Sequence, residues 1–308
     1  MSAMTRHLAA ALLFALAPGA SASGASFALT EIARGVYVHE GALAGLDSPA
    51  RADSANLGFV VGARCVAVID SGGAMATGRA FAAAIAATTD TPVCYVINTH
   101  VHFDHVLGNA AFSHGETRFT GHHALAEAMT ANREYFAEHF AAELGGPGKQ
   151  ALVIGPDQLV EDTLELDLGG RTLVLRASGR AHTTTDLTVH DVATNTLWTG
   201  DLLFRDRLPI IDGSLKGWLA WMEQARVESY AHVVPGHGAV DHDWPRGADA
   251  QLSYLEALRD DTRRAIAAGT FIEDARDAIA REARAGFALT ERAHAVNVSR
   301  AFRELEWE

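Results

Sequence analysis

Apolar positions along this chain recur in two registers, a period of two over short runs and a helical period over longer ones. Residues 35–38, 56–61, 65–69 and 93–98 read as strands, bounded by glycine and small polar residues. An Ala-rich helix over 74–87 joins the last two of these, after the tight turn Asp70-Ser71-Gly72-Gly73. Strand, helix, strand is a crossover unit, so these two strands are expected to be parallel, with their following loops gathered at one carboxyl end. Residues 121–144 are helical in composition and end in the breaker cluster Gly145-Gly146-Pro147-Gly148. A second strand-rich half follows, with strands at 160–168, 171–177, 186–190, 196–198 and 231–234 and a helix over 215–225. From Ala248 the tail is helical: Leu252, Leu255 and Leu258 form one stripe, Thr270-x-x-Glu273 fits a capping box, and Val298, Phe302 and Leu305 keep helical spacing. Two strand-rich halves divided near Gly145 predict an α/β, four-layer αββα sandwich, with the C-terminal helices on one flank. Residues 40–54 are long for a hairpin connection and leave two readings, a lid over a site or a flexible surface loop.

Composition narrows the setting. Near the N-terminus, Arg6 precedes a ten-residue apolar run, Leu8 to Ala17, then Pro18 and the small residues Ala20-Ser21-Ala22, which is the build of a secretory signal peptide cut after Ala22. A membrane-spanning helix needs about 20 apolar residues, so residues 1–22 are read as a leader and the mature protein as periplasmic or secreted, with no membrane association. The division expected is a main domain over 23–247 and a helical extension over 248–308 packed on it. The formal net charge of −13 becomes −14 once Arg6 leaves. Such a balance repels phosphate backbones and argues against nucleic-acid partners, leaving a small-molecule substrate. The cysteines Cys65 and Cys94 each lie five residues before the end of a strand, at Asp70 and Thr99. An exported chain permits a disulfide between them, and two buried free thiols are the other outcome.

The chemistry concentrates in Asn98-Thr99-His100-Val101-His102-Phe103-Asp104-His105. Residues two apart on an extended segment share a face, so His100 and His102 can converge on one ion, while Asp104 and His105 start a new element that faces a second position. Polar burial at this density is too costly without an ion. Three more pieces follow, His182 in Ala181-His182-Thr183, Asp201 in Thr199-Gly200-Asp201 and His237 in Pro235-Gly236-His237-Gly238. Five imidazoles and two carboxylates suit zinc better than the all-oxygen shells of calcium or magnesium, with iron and manganese as alternatives.

In this order the pieces resemble the metallo-β-lactamase superfamily, over roughly residues 28–242. The resemblance implies a metallo-β-lactamase sandwich and two Zn2+ per chain, one held by His100, His102 and His182, the other by Asp104, His105 and His237, with Asp201 bridging. Two such ions share a water, lower its pKa towards about 7 and present hydroxide as nucleophile, which Asp104 is placed to orient as the catalytic carboxylate. Asp70 resembles a position that supports the first metal loop through hydrogen bonds. Aspartate at 201, where many class B β-lactamases carry cysteine, moves the expectation towards an ester, thioester or lactone as substrate. A class B-like β-lactamase and a non-catalytic metal-binding accessory protein are the alternatives. Related hydrolases often hold a substrate carboxylate with a basic residue, and Arg207 and Lys216, which follow Asp201, are the candidates. A narrower resemblance, through Asp212-Gly213-Ser214-Leu215, Gly217-Trp218-Leu219 and the ending Glu304-Leu305-Glu306-Trp307-Glu308, is to the quinoprotein relay system zinc metallohydrolases. It implies a functional link to a quinoprotein dehydrogenase; no residue points to quinone binding, and no quinone cofactor is assigned.

Overall fold

The computed structural model describes residues 27–308, so the proposed leader, 1–22, lies outside the described residues. Seven strands form the first sheet in chain order: β1 (Thr30–Ala33), β2 (Val36–His39), β3 (Leu57–Val61), β4 (Val66–Ile69), β5 (Val93–Asn98), β6 (Arg118–His122) and β7 (Gln158–Val160). Helix α1 (Met75–Thr88) makes the crossover from β4 to β5, which pair in parallel. Three short helices lie farther along this half: α2 (Phe103–Val106), α3 (Leu125–Ala131) and α4 (Arg133–His139). The second sheet holds β8 (Thr163–Asp167), β9 (Thr172–Ala177), β10 (Leu187–Asp191), β11 (Thr196–Phe204) and β12 (His232–His237), in the order 12-11-10-9-8. Helices α5 (Leu215–Ala225), α6 (Asp249–Ala267), α7 (Ile272–Ala275) and α8 (Thr290–Leu305) complete the chain.

Strand alternation builds the layers. On β4, Ala67 and Ile69 point into the core between the sheets, where they meet Leu173, Leu175, Val189 and Trp198 of the second sheet. Val66 and Val68 point the other way, onto Phe81 and Ile85 of α1. The outer face of the second sheet is covered by α5, α6 and α8 through Trp218, Leu255, Leu258 and Val298. The result is the αββα sandwich with C-terminal helices. Both sheets are mixed: β4 to β7 pair in parallel within the first, and β11 with β12 within the second.

Four local expectations are corrected. Residues 118–122, partly assigned to a helix, form β6, because pairing with both β5 and β7 outweighs a composition with one large apolar residue, Phe119. The run 160–168 is two strands, β7 and β8, in different sheets, so the halves divide there and not near Gly145. Strand β11 continues through Gly200 and Asp201 to Phe204, buried throughout. Thr270 does not cap α7; its backbone N–H closes the end of α6 on the Ala265 carbonyl. Cys65 and Cys94 are joined in a disulfide, with Cα atoms 5.5 Å apart, at the beginnings of the interior strands β4 and β5, opposite to the strand ends that lead to the histidines. No described helix is long and apolar enough to cross a membrane.

Candidate metal centre

Three strand ends and the interior of β11 deliver the polar cluster. Beyond β5 the chain bends at His100 and Val101 and is extended again at His102, with His100 and His102 in one group, and α2 then carries Asp104 and His105 into the other. His182 lies in the loop between β9 and β10, Asp201 on β11, and His237 at the end of β12. The donor atoms fall into two groups, His100, His102, His182 and Asp201, and Asp104, His105 and His237, each gathered within 4.8 Å. Asp201 joins them. Its Oδ2 lies 3.6 Å from His100 Nε2 and 3.3 Å from His182 Nε2, and its Oδ1 lies 3.2 Å from His105 Nε2 and 3.3 Å from His237 Nε2.

Each imidazole is fixed through its outer nitrogen, which leaves the inner one free to ligate. His182 Nδ1 donates to the Ile210 carbonyl at 2.7 Å, His237 Nδ1 to the Ser54 carbonyl at 2.7 Å, and His105 Nδ1 to Asp70 Oδ2 at 2.7 Å. His100 Nδ1 donates to the Thr99 hydroxyl at 3.1 Å, and that hydroxyl donates to Asp70. His102 is turned round: Nε2 faces Asp212 at 3.4 Å, and Nδ1 approaches His182 Nε2 at 3.0 Å. Asp70 also accepts the Thr99 N–H at 2.8 Å, so one carboxylate braces the loop that carries both groups. The centre has no room to spare, since a Cβ on Gly236 would lie 1.9 Å from Asp201 Oδ1.

Electrostatics support a cationic occupant. Burial holds the His100 imidazole well below its ordinary value and brings His182 down to about 3, so both are neutral, the form that binds metal. Burial acts in the same direction on His105, but the carboxylates of Asp201, Asp70 and Asp104 outweigh it and raise it well above its ordinary value. Asp201, which burial alone would raise, is held well below the carboxylate range by His237, His105 and His100. His100 Nε2, His105 Nε2 and Asp201 Oδ1 are buried without a hydrogen-bond partner. Orphaned groups of this kind are expensive unless an ion satisfies them, and the donor set fits two divalent ions.

A cavity of about 260 Å³ opens over the centre. One wall is the segment 40–54, through Ala44, Leu46, Arg51 and Ser54, and the other is aromatic, through Phe103, Tyr135, Phe136 and Phe140. Arg51 ties the walls together by pairing with Glu143 at 2.6 Å and stacking over Phe140. Arg207 lines this cavity and is 9% exposed; Nη1 donates to the Ala44 carbonyl and lies 3.4 Å from His237 Nδ1, and among the described residues Nε has no hydrogen-bond partner and no carboxylate pairs with the guanidinium. Lys216 lies elsewhere, paired with Glu308 at 3.2 Å beside Arg263. Of the two basic candidates, the structure brings only Arg207 to the cavity.

Several supports were not foreseen. The Ser54 hydroxyl donates to Asp104 Oδ2 at 2.8 Å, and Thr185 Oγ1 accepts the Val101 N–H, tying the His182 loop to the first metal loop. Asp186 accepts from the Thr183 N–H and hydroxyl, and burial raises it to about 6. The spacing Thr183-x-x-Asp186 next to His182 was the available signal for that turn.

The Metallo-beta-lactamase superfamily profile matches residues 50–237. Among solved structures, a metallo-beta-lactamase from Pontibacter korlensis aligns at 19% identity and a TM-score of 0.58, over 74% of this chain and 98% of that one. The stereoselective inverting sec-alkylsulfatase Pisa1 from Pseudomonas sp. aligns at 16% identity and a TM-score of 0.66, over 91% of this chain and 50% of that one. At these identities both similarities establish the fold. No curated protein matches the chain significantly.

Proposed function

The chain belongs to the metallo-β-lactamase superfamily, and within it we propose an exported binuclear zinc hydrolase that cleaves a small ester, thioester or lactone. The observation that carries this reading is Asp201, with one carboxylate oxygen facing each group of imidazoles. Imidazole and carboxylate together favour zinc over calcium or magnesium. Two zinc ions bound there supply an activated water and a Lewis acid for a carbonyl oxygen. The chain's own groups do the rest. Asp104, held by the Ser54 hydroxyl and 3.5 Å from His237 Nε2, is placed to hold the proton released during hydrolysis. The aromatic wall takes the apolar part of the substrate and keeps water from it, and a cavity of about 260 Å³ limits that part to a small group.

Arg207, a buried guanidinium without a carboxylate partner among the described residues, adds an anionic group to the expected substrate. That observation also favours a second reading, an alkyl sulfate ester, with the sulfate towards Arg207 and the alkyl group against the aromatic wall. Export is supported by the leader-like residues 1–22 and by the Cys65–Cys94 disulfide, which suits an oxidising compartment. The segments 212–215, 217–219 and 304–308 support placement beside a quinoprotein dehydrogenase, without a quinone cofactor of its own.

The test is metal analysis of the purified mature protein, together with turnover of a panel of esters, thioesters, lactones, alkyl sulfates and a chromogenic cephalosporin. We expect two zinc equivalents and fastest turnover of an acyl compound. Alkyl sulfate as the best substrate would establish the second reading, and a cephalosporin rivalling the esters would make the protein a class B-like β-lactamase. Two bound metals with no turnover across the panel would leave an accessory metal-binding role.

A further inference from the structure

The C-terminal helix α8 covers the outer face of the second sheet, and while Glu291, Arg292, Ser299 and Arg303 face solvent, three of its polar residues turn inward. Asn297, Arg300 and Glu304 follow helical spacing and form one face. That face grips a single loop, residues 205–214, between β11 and α5. Asn297 accepts the Ile211 N–H at 2.8 Å and donates to the Pro209 carbonyl at 2.7 Å. Arg300 donates to Asp212 Oδ1 at 2.6 Å. Glu304 accepts the Ser214 hydroxyl at 2.5 Å and the Leu215 N–H at 2.7 Å.

The loop in turn holds two of the three imidazoles of one metal group. Its Ile210 carbonyl accepts His182 Nδ1, and the Asp212 and Gly213 N–H groups donate to the His182 carbonyl at 2.9 and 2.6 Å. Gly213 is needed for that approach, because a Cβ there would lie 2.3 Å from the Ala181 carbonyl oxygen. Asp212 uses its other oxygen on His102 Nε2 at 3.4 Å. The second group is braced chiefly from elsewhere, His105 by Asp70 and His237 by Ser54; the loop reaches it only through Arg205, whose N–H donates to the His237 carbonyl at 2.9 Å, and Arg207, 3.4 Å from His237 Nδ1, both of which precede the residues that α8 holds. From this we infer that α8 is a positioning element for one metal site, holding His102 and His182 through the Arg300–Asp212 contact and the Asn297 and Glu304 grips on the same loop. The extension therefore makes the two metal sites unequal in what supports them.

The inference rests on the reading of the two groups as metal sites, and chelator competition on the full mature protein separates the two. Arg300→Gln is expected to weaken one of two zinc equivalents by about 10–100-fold, the range usual for loss of a group that orients a metal-binding histidine, and to leave the other within about twofold. Arg300→Lys, which keeps a cationic donor near Asp212, is expected to recover most of the loss. In a His182→Ala background, where that site is already broken, Arg300→Gln should add nothing further. Arg263→Gln, which loosens only the exposed pairings to Glu308 and Asp260, should change neither site. If Arg300→Gln does not fold, Glu304→Gln loosens the same helix-to-loop grip at Ser214 and Leu215 without touching an imidazole and should show the same one-site loss. Wild-type protein that binds no zinc overturns the metal reading itself. Wild-type protein that binds two equivalents, with variants that weaken both sites alike or neither, overturns the positioning role and leaves the metal reading standing.

Discussion

Asp70 sits in the left-handed region, with φ of 57°, and from there one carboxylate takes the Thr99 N–H, the Thr99 hydroxyl and His105 Nδ1. Asn tolerates that backbone, but Asp70→Asn sets an amide N–H₂ against the hydroxyl and imidazole donors. The expected outcome is a loss of about 10–100-fold in metal affinity, read by chelator competition, with unfolding of the metal-free protein changed far less. Asp186 offers a pH test. Its folded value, about 6, lies above the ordinary 3.8, so the folded state holds the proton more tightly than the unfolded chain. Its stabilising contribution is therefore present below about pH 4 and is lost as pH rises through about 6. A two-unit shift corresponds to roughly 3 kcal/mol, so metal-free Asp186→Asn should gain stability at pH 7 by up to that order and show a flatter denaturation profile between pH 4 and 6. A variant no more stable than wild type at pH 7 would show that the Thr183 contacts need the charge. His100, His102, Asp104 and His105 were visible in sequence because their spacing is local, and His182, Asp201 and His237 because they follow in the order of the family pattern. Ser54 and Asp212 were not, because Ser54 to Asp104 and Asp212 to His102 join positions 50 and 110 residues apart; Asp186 was legible only as the short Thr183-x-x-Asp186 turn.

At the scale of elements, the strands that carry large β-branched runs were visible, and those made by pairing alone were not. Strand β6 has little apolar character of its own, and β7 and β8 read as one run until the chain is seen to change sheets between them. Strand β11 shows why the centre is rigid: it carries Asp201 within a buried run and packs against Gly236 of β12. Gly236→Ala places a methyl where Asp201 Oδ1 stands, so this variant should lose at least one of two metal equivalents and nearly all turnover while keeping its far-ultraviolet circular dichroism. Retention of both metals would mean that β12 shifts to admit the methyl. The disulfide acts at the other end of the sheet. It closes a separation of 29 residues, for which chain entropy predicts roughly 3–4 kcal/mol of stabilisation. Cys65→Ser with Cys94→Ser should therefore lower the unfolding midpoint while leaving turnover at low temperature nearly unchanged.

For the whole molecule, two strand-rich halves and a crossover predicted the sandwich, while the way α8 reaches back to the loop before α5 depends on contacts about 90 residues apart that no local pattern records. Charge, by contrast, is a property of the whole chain that composition gives directly. The net charge of −13 repels an anionic substrate at long range, whereas Arg207 attracts one only inside the cavity. Salt separates these effects, since the Debye length falls from about 30 Å at 0.01 M to about 8 Å at 0.15 M. For an anionic ester, kcat/KM should rise over that interval as the long-range repulsion is screened, and for a neutral ester of the same size it should stay flat. Arg207→Ala should raise KM for the anionic ester at every salt concentration and leave the neutral one nearly unaffected, because only anchoring of the ground state is lost. The upward salt slope should survive in that variant, since the field of the remaining surface is unchanged. A steep fall of kcat/KM with salt for the anionic ester in wild-type protein would mean that the cavity's own positive charge, and not the acidic surface, governs capture.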